Sequence, residues 1–246
     1  FQRVHAELGR ELIGGASLNL AGVHGVVEAD IGTGQIAASG IGLGGSLTWY
    51  QENGFYVDAQ GLLMVTSAEV SAGTTGVALT DGLSGHGHAV SLEAGQRIAI
   101  DEELSITPQV QVTASRGAVG DFTDSFGTSV SGVSEDRTRI RLGISVDKEV
   151  HDFGGREGTR LHVYGIGNLY YDINDLPEVL IGHEGENEMA FASGRDRLRA
   201  GISVGASYNW NDDQTSIYGE ATFAAGLRDP GHNHIYKAVV GFRHRW

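Results

Sequence analysis

Histidine is the residue type in this chain best suited to holding a metal ion, and four of the ten histidines form two pairs. His86/His88 and His232/His234 have the i, i+2 spacing that places two imidazoles on one face of a strand. A metal site needs further ligands, and the spacing identifies no third ligand near either pair. We therefore expect no metal site and interpret both pairs as solvated residues at loop edges, with metal binding as the less favoured alternative.

Motifs for nucleotide binding or nucleophilic catalysis are weak. The sequence IGTG at 31–34 superficially resembles a phosphate-binding loop, but no Gly-Lys-Ser/Thr follows it and no helix is expected there, so we interpret it as a tight turn. Serine and histidine are plentiful, but none of them lies in a recognisable nucleophile setting. We expect no cofactor and no catalytic residue, and an outer-membrane hydrolase remains only a second alternative.

A third set of chemically capable residues consists of charged side chains that share one face of predicted strands. In 198–210, for example, apolar residues at even positions alternate strictly with Arg199, glycines and polar residues at odd positions. Such a period of two predicts strands with one apolar and one polar face. Arginine facing lipid is unfavourable, so we predict that the charged face lines a polar lumen. The predicted lumen-lining residues are Asp58, Glu93, Arg97, Arg139, Arg141, Arg199, Glu220, Arg243 and Arg245, together with Glu7 and Arg160.

Composition excludes several classes of protein. A net charge of −14 gives no counterion-release drive for binding nucleic acid, so we expect no nucleic-acid partner. The absence of cysteine excludes disulfides and thiolate metal sites. No run of about 18 apolar residues occurs, which excludes a helical membrane protein but not a membrane β-barrel. The 38 glycines accompany only 3 prolines, so the glycine is expected to serve folded structure.

The spacing of the strands favours an outer-membrane barrel over a soluble β-sandwich. Strands of about 10 to 14 residues with short turns at one end and long loops at the other are typical of such barrels. Aromatic residues near strand ends fit the girdles at the two membrane interfaces. Short turns are predicted at 51–54, 100–103 and 211–214, long loops near 67–87, 117–135 and 174–194, and girdle residues at Trp49, Tyr50, Tyr171, Tyr208, Trp210 and Trp246.

The number of predicted strands is odd, whereas bacterial single-chain barrels have an even number. We therefore expect about twelve strands, with the N-terminal one absent from this sequence or misassigned. The alternative places a twelfth strand at 178–192. The eleven predicted strands are 2–12, 17–30, 35–50, 54–66, 88–100, 103–116, 136–149, 159–173, 196–210, 214–227 and 233–246.

Three stretches have a specific strand sequence: GLGGSLTWYQENGFYVDAQ at 42–60, SLEAGQRIAI at 91–100 and ITPQVQVTAS at 106–115. They resemble strands of the C-terminal translocator domain of a monomeric (type Va, AIDA-like) autotransporter, and the first stretch is the most specific. The C-terminal GFRHRW resembles the terminal signal that the barrel-assembly machinery reads. In this resemblance the alternate residues Val240, Phe242, His244 and Trp246 form the assembly signal.

The resemblance implies an all-β fold, an antiparallel transmembrane β-barrel of about 12 strands with a polar lumen, occupying 1–246 as a single domain. It implies an integral protein of the Gram-negative outer membrane that anchors there and enables export of its N-terminal passenger to the cell surface. The implied partners are outer-membrane lipid and lipopolysaccharide, the protein's own passenger, the barrel-assembly machinery and periplasmic chaperones, with the barrel itself a monomer.

One departure from the family concerns the N-terminus. The family places a linker helix before the first strand, but residues 1–12 alternate as a strand does, so we expect linker and passenger to lie outside this chain. Some relatives cleave their passenger at an asparagine of that helix, an activity that the resemblance does not transfer here, and we expect no enzyme. A small porin or channel is the main alternative function, distinguished by whether a long passenger precedes Phe1.

Overall fold

The computed structural model describes residues 2–6, 10–29, 32–73, 76–174, 178–183, 186–192, 196–228 and 233–244. Within these ranges the regular structure is strand apart from a short 3-10 turn at Phe153–Gly155, and no helix is long and apolar enough to cross a membrane. The strands are β1 (Gln2–Ala6), β2 (Arg10–Ala29), β3 (Gly32–Gln51), β4 (Phe55–Ala72), β5 (Val77–Gln96), β6 (Ile98–Ala99), β7 (Leu104–Val119), β8 (Phe122–Thr123), β9 (Thr128–Val130), β10 (Val133–His151), β11 (Arg160–Asp172), β12 (Glu178–His183), β13 (Glu186–Ala192), β14 (Leu198–Trp210), β15 (Thr215–Gly226) and β16 (His234–His244).

The main sheet is an antiparallel meander in which each strand pairs with the next long strand along the chain. Its order in the described residues is β1-β2-β3-β4-β5-β7-β10-β11-β14-β15-β16. The short β6 continues β5, because the partners Gly95/Gln109 and Ile98/Ile106 keep one register against β7. The all-β, antiparallel prediction is confirmed, and this path contains eleven strands, one for each strand predicted from the alternation.

A second, smaller sheet forms outside the main one, from the two connections β7–β10 and β11–β14. Its order is β13-β12-β9-β8, and the hydroxyl of Ser125 between β8 and β9 donates to the carbonyl of Ala78 on β5 at 3.0 Å. Residues 178–192 therefore do not supply a twelfth strand of the wall, because β12 pairs with β13 on one side and with β9 on the other.

Two predicted boundaries were wrong. The segment 67–87 is mostly strand, since β4 extends to Ala72 and β5 begins at Val77. The predicted strand 2–12 is interrupted, since β1 ends at Ala6 and β2 begins at Arg10. Crossing the bilayer takes roughly 9–11 residues, whereas β2, β3 and β5 have 20 residues each. These strands therefore project beyond the membrane. In the projecting segments apolar and polar residues alternate too weakly to predict a strand.

Two tight turns at one end of the sheet, 51–54 and 100–103, follow local sequence chemistry. Gly54 has φ 85°, its N–H donates to the carbonyl of Gln51 at 3.1 Å, and the side chain of Asn53 accepts from the N–H of Phe55 at 3.0 Å. Asparagine followed by glycine favours this left-handed geometry. In the 100–103 turn, hydrogen bonds from the backbone N–H groups of Glu103 and Leu104 hold the pKa of the Asp101 carboxyl below its usual value. The predicted short turns 51–54 and 100–103 thus fall where hairpins form.

Candidate functional site: the polar inner face

The two faces of the main sheet have the polarity of a membrane barrel. No apolar side chain among the described residues is fully buried, whereas Ser105 and Asp172 are only 2% and 3% exposed. Large apolar side chains such as Leu20 and Ile202 are instead 78% and 57% exposed. A soluble protein shows the reverse distribution, so the polar face is the inner one and the apolar face meets lipid.

Arg141 and Glu93 form the centre of the polar network on the inner face. They lie on β10 and β5, in register with Gln111 on the intervening β7, and they form an ion pair that is 14% and 16% exposed. Arg141 also donates to the side-chain oxygens of Gln111 at 3.2 Å and Asn168 at 2.9 Å, and the hydroxyl of Tyr56 donates to Glu93 at 2.6 Å. One network therefore connects five strands of the main sheet, β4, β5, β7, β10 and β11.

Asp172 forms the second cluster, towards the long-loop end of the sheet. Its side chain is 4% exposed and accepts from Arg139 at 2.6 and 3.1 Å and from Arg199 at 3.2 Å. The Nε of Arg137 lies 3.8 Å from the same carboxylate. Asp172 on β11 binds arginines from β10 and β14 and so joins these strands. The negative charge of the buried carboxylate and the positive charges of the arginines compensate one another.

Tyrosine rings pack over glycines of the neighbouring strand on this inner face. Tyr164 lies over Gly205 of β14 and donates to Glu220 of β15 at 2.7 Å. Tyr56 lies over Gly95, where an added Cβ would stand 2.5 Å from the ring. Only glycine leaves room for such a ring against the sheet. Among the described residues three pairs of this kind are in direct register: Tyr56/Gly95, Tyr164/Gly205 and Tyr218/Gly241.

Asp58 and Arg97 also lie on the inner face, with neutral partners. Asp58 accepts from the hydroxyl of Thr48 at 2.5 Å and from the side-chain amide of Gln60 at 2.7 Å. Arg97 donates from Nε to the hydroxyl of Ser105 at 3.1 Å and is exposed. These two predicted residues belong to the polar lining but not to an ion pair shown in the described part of the chain.

The remaining predicted lumen residues lie nearer the short-turn end or outside the described ranges. Arg160 contacts Glu149 and Asp213, each at 3.2 Å, and Arg243 lies opposite Ser216 in the pairing of β15 and β16. Glu220 is the acceptor for Tyr164 described above. The predictions for Glu7 and Arg245 fall on residues outside the described part of the structure.

A cavity of about 590 Å³ lies within the inner face near the short turns. Asp147 and His162 face it, with the imidazole Nε2 3.1 Å from the carboxylate and the Ser145 hydroxyl donating to that carboxylate at 2.5 Å. Tyr50 also lines this cavity, its ring 5.9 Å from that of Tyr56. The prediction of Tyr50 as a girdle residue was therefore wrong, because alternation along β3 points it inward.

Other aromatic residues do lie on the outer face near the strand ends. Trp49 packs edge-on against Phe55 at 6.3 Å, and Tyr208 stacks on Trp210 at 5.7 Å. Aromatic rings at this height are the usual interfacial anchors of barrels. Tyr171 is 45% exposed near the opposite end, and Trp246 lies outside the described residues.

The predicted assembly-signal residues lie on β16. Val240 and Phe242 are on its outer face, 79% and 66% exposed, and the ring of Phe242 lies 6.5 Å from that of Trp210. The His244 imidazole is 3.0 Å from the hydroxyl of Thr215, opposite it on β15. Three of the four residues thus share one face of one strand, and Trp246 lies beyond the described range.

Neither histidine pair nor a nucleophile motif forms a reactive site in the described residues. His86 and His88 lie within β5 rather than at a loop edge, and no group of three or more His, Asp or Glu that could hold a metal occurs in the ranges described. His234 lies on β16, and His232 is outside the described part. The expectation that no serine lies in a nucleophile motif was wrong for Ser203, because residues 201–205 match Gly-x-Ser-x-Gly. These residues lie mid-strand in β14, where the Ser203 and Thr222 hydroxyls are 2.8 Å apart. The motif needs a strand-to-helix turn, which is absent at this place.

The charged residues of the inner face were predictable from the sequence, whereas most of their partners were not. Tyr56, Tyr164 and Asp172 carry much of the network, yet none of them is among the predicted site residues. The alternation contained the signal, because Asp172 and Tyr164 share the parity of Arg160 along β11. Charges on the most clearly alternating strands do not reveal the tyrosines or the residues of a weakly alternating strand such as β11.

Polar inner face, apolar outer face and an antiparallel meander together define an outer-membrane type of β-barrel. The family model described as Autotransporter beta-domain matches residues 6–222, and the chain belongs to this family. The predicted resemblance to a monomeric autotransporter translocator is therefore confirmed.

Curated relatives and solved structures agree with this assignment. The adhesin BmaC autotransporter of Brucella suis biovar 1 (strain 1330) is 37% identical over 238 residues, covering 96% of this chain and 7% of that protein. The pertactin autotransporter of Bordetella parapertussis is 30% identical over 151 residues, covering 59% of this chain and 16% of that protein. The chain therefore spans only a small part of the curated relatives that it matches.

Two solved structures share the fold. The transport unit of the autotransporter AIDA-I from Escherichia coli matches with a TM-score of 0.82 and 17% identity, covering 100% of this chain and 79% of that one. The β domain of the Bordetella autotransporter BrkA matches with a TM-score of 0.62 and 19% identity, covering 96% and 93%.

Family membership decides between the functions that the sequence left open. As an autotransporter β-domain, the chain is an integral β-barrel of the outer membrane and the translocator unit for a passenger. This favours the translocator over the porin and hydrolase alternatives. The names of the curated relatives describe an adhesin and pertactin autotransporters rather than enzymes.

Proposed function

We propose that residues 1–246 form a single translocator domain whose polar inner face hydrates the N-terminal passenger during its export. The observation that carries this proposal is the cross-strand polar network, which lines the inner face while the outer face stays apolar. A polypeptide in transit exposes backbone donors and acceptors, and a lumen of carboxylates, guanidiniums and hydroxyls offers them partners. The lumen charges Asp58, Glu93, Arg97, Arg139, Arg141, Arg199, Glu220, Arg243 and Arg245 are assigned to this lining.

The same charges also brace the wall. Glu93 with Arg141 and Asp172 with Arg139 are ion pairs that cross between strands, and both are largely shielded from solvent. Ions shielded in this way require compensation, so the pairs hold neighbouring strands at fixed distances. Bracing and hydration are compatible, because a lumen that keeps its width stays open to a hydrated chain.

We assign the assembly signal to Val240, Phe242, His244 and Trp246, read by the barrel-assembly machinery after delivery by periplasmic chaperones. The supporting observation is that Val240 and Phe242 present exposed apolar side chains on the outer face of β16, the last described strand of the sheet. We further propose that the barrel is a monomer without catalytic activity of its own, and that lipopolysaccharide contacts its outer face.

The test is protease accessibility of a reporter fused to Phe1 through the native upstream linker, on intact cells. We expect externally added protease to remove the reporter, and deletion of Trp246 to abolish this exposure. A barrel that assembles and conducts ions while the reporter stays in the periplasm would contradict the proposal. Heat-modifiable migration of the barrel in gels separates failed export from failed folding.

A further inference from the structure

Three neighbouring strands lose their apolar outer rows at the same level. On β7 the outward residues from Leu104 to Ala114 are apolar, and the next outward residue is Arg116. On β5 the outward row that includes Val90 ends at His88, and on β10 the outward residues after Ile140 are Thr138 and Asp136. The row on β7 spans 11 residues, about the length that crosses a bilayer. His88, Arg116 and Asp136 therefore mark a membrane boundary on the outer face.

The boundary residues are direct neighbours. His88 pairs in register with Arg116, which pairs in register with Asp136. Residues opposed in this way have Cβ atoms about 4.5–5.5 Å apart, so imidazole and guanidinium lie side by side. The Nε of Arg116 is 3.8 Å from Asp136, and the two side chains are 53% and 62% exposed. A guanidinium has five N–H donors, so this single long contact leaves donors for another anion.

An apolar groove of about 510 Å³ adjoins this row on the outer face. Because His88 is opposite Leu63 and His86 is opposite Val65, the two imidazoles form one edge of the groove. Leu63 and Val65 are 65% and 58% exposed, so the groove is open to lipid. Its apolar lining includes Leu18, Ile41, Leu43, Leu63 and Val65.

The position of the row indicates which leaflet it meets. The polar row lies away from the 51–54 and 100–103 turns, at the end of the sheet where β7 and β10 lead into the long connection 120–132. In outer-membrane barrels the long loops are extracellular and the short turns periplasmic. Arg116 and the two imidazoles are therefore at the level of the outer-leaflet headgroups, where phosphate is the complementary anion.

We propose that Arg116, His86 and His88 bind the phosphorylated headgroup of an outer-leaflet lipid whose acyl chain occupies the adjoining groove. Charge complementarity selects the phosphate, and the contiguous apolar groove selects a lipid over a free anion. The site deepens the lipid contact of the proposed function but does not depend on passenger export. A failure of passenger export in the reporter experiment and a failure of lipid binding can therefore be told apart.

The test measures lipid binding to the purified, folded barrel in neutral detergent by native mass spectrometry. The probes are bisphosphorylated lipid A and the same lipid without phosphates. We expect Arg116→Gln to weaken binding of the phosphorylated lipid by roughly tenfold, the effect of losing one charge-assisted contact, and to leave the dephosphorylated lipid unchanged. The double variant His86→Gln/His88→Gln is expected to show the same phosphate-dependent loss.

Lys148→Gln is the matched control. Lys148 is also an outward cation with one acidic neighbour, Glu103 at 3.5 Å, but it lies at the short-turn end of β10. Equal losses in Arg116→Gln and Lys148→Gln would overturn the site, as would equal binding of the two lipids by the unaltered barrel. If Arg116→Gln does not fold, Arg116→Lys is measured instead. We expect Arg116→Lys to bind the phosphorylated lipid more tightly than the variant His86→Gln/His88→Gln does.

Discussion

Tyr164 packs over Gly205 and reaches across it to Glu220, with 2.7 Å between the phenol oxygen and the carboxylate. The ring thereby bridges β11, β14 and β15 on the inner face. An added Cβ at Gly205 would overlap the ring, so glycine is required there for steric rather than conformational reasons. The contact couples packing of the wall to the polar lining of the lumen.

This relationship predicts the effect of Gly205→Ala. The methyl group displaces the ring and weakens the bond to Glu220, and overpacking of this kind costs about 1–3 kcal/mol in the free energy of unfolding. Urea titration of the purified barrel in detergent measures the change. Gly167→Ala is the control, because a Cβ there meets no atom within 4 Å. A loss in Gly205→Ala no larger than in Gly167→Ala would refute the packing role of the tyrosine.

Adjacent residues on β5 should differ sharply in their tolerance of arginine. Leu92 is outward and 57% exposed, so Leu92→Arg places a cation in lipid at a cost of about 2–4 kcal/mol near mid-membrane. Ser91 lines an inner cavity of about 420 Å³, so Ser91→Arg remains in water. The fraction of heat-modifiable barrel in isolated outer membranes measures this. Similar assembly of the two variants would mean that the faces are assigned incorrectly.

The alternation alone suggests an equivalent pair on β14, Ile202→Arg against Ser203→Arg. Ser203 is only 5% exposed, and its hydroxyl lies 2.8 Å from that of Thr222. Arginine at that inner position would disturb packing, so the β5 pair gives the cleaner comparison.

Glu93 and Arg141 should be strongly coupled. Glu93→Gln or Arg141→Gln leaves the other ion shielded and partly uncompensated, and we expect each to lower the free energy of unfolding by about 2 kcal/mol. The double variant should lose clearly less than the sum of the two, as measured by a double-mutant cycle in urea. Arg97→Gln serves as a control and should change stability by less than about 0.5 kcal/mol, since Arg97 is exposed. Strict additivity of the Glu93 and Arg141 variants would exclude a functional ion pair.

A substitution of Phe242 tests recognition by the barrel-assembly machinery separately from the stability of the barrel. We expect Phe242→Ala to reduce assembled barrel in cells several-fold, while the purified variant refolds in detergent nearly as well as the unaltered chain. Tyr236→Ala is the control on the same outer face of β16, since Tyr236 is 74% exposed and contacts Phe223 at 5.1 Å. If both variants assemble equally well in cells, the assembly signal does not include Phe242.

Much of the wall was predictable because strands facing lipid on one side and water on the other must alternate. The alternation in β14 placed Arg199 inward and Leu198 outward without any structure. Strands were not predictable where both faces are in water, since nothing then enforces alternation. This is why the projecting parts of β4 and β5 looked like a loop, and why 178–192 was open to two interpretations.

The sequence by itself determined the period of the strands, the side of each that meets lipid, and the resemblance that led to the family. These features are local, because lipid and water act on each residue directly. Only the tertiary structure decided that Glu93 meets Arg141 across β7 and that Asp172 gathers Arg139 and Arg199. Such contacts depend on the register between strands, which a single strand's pattern does not encode.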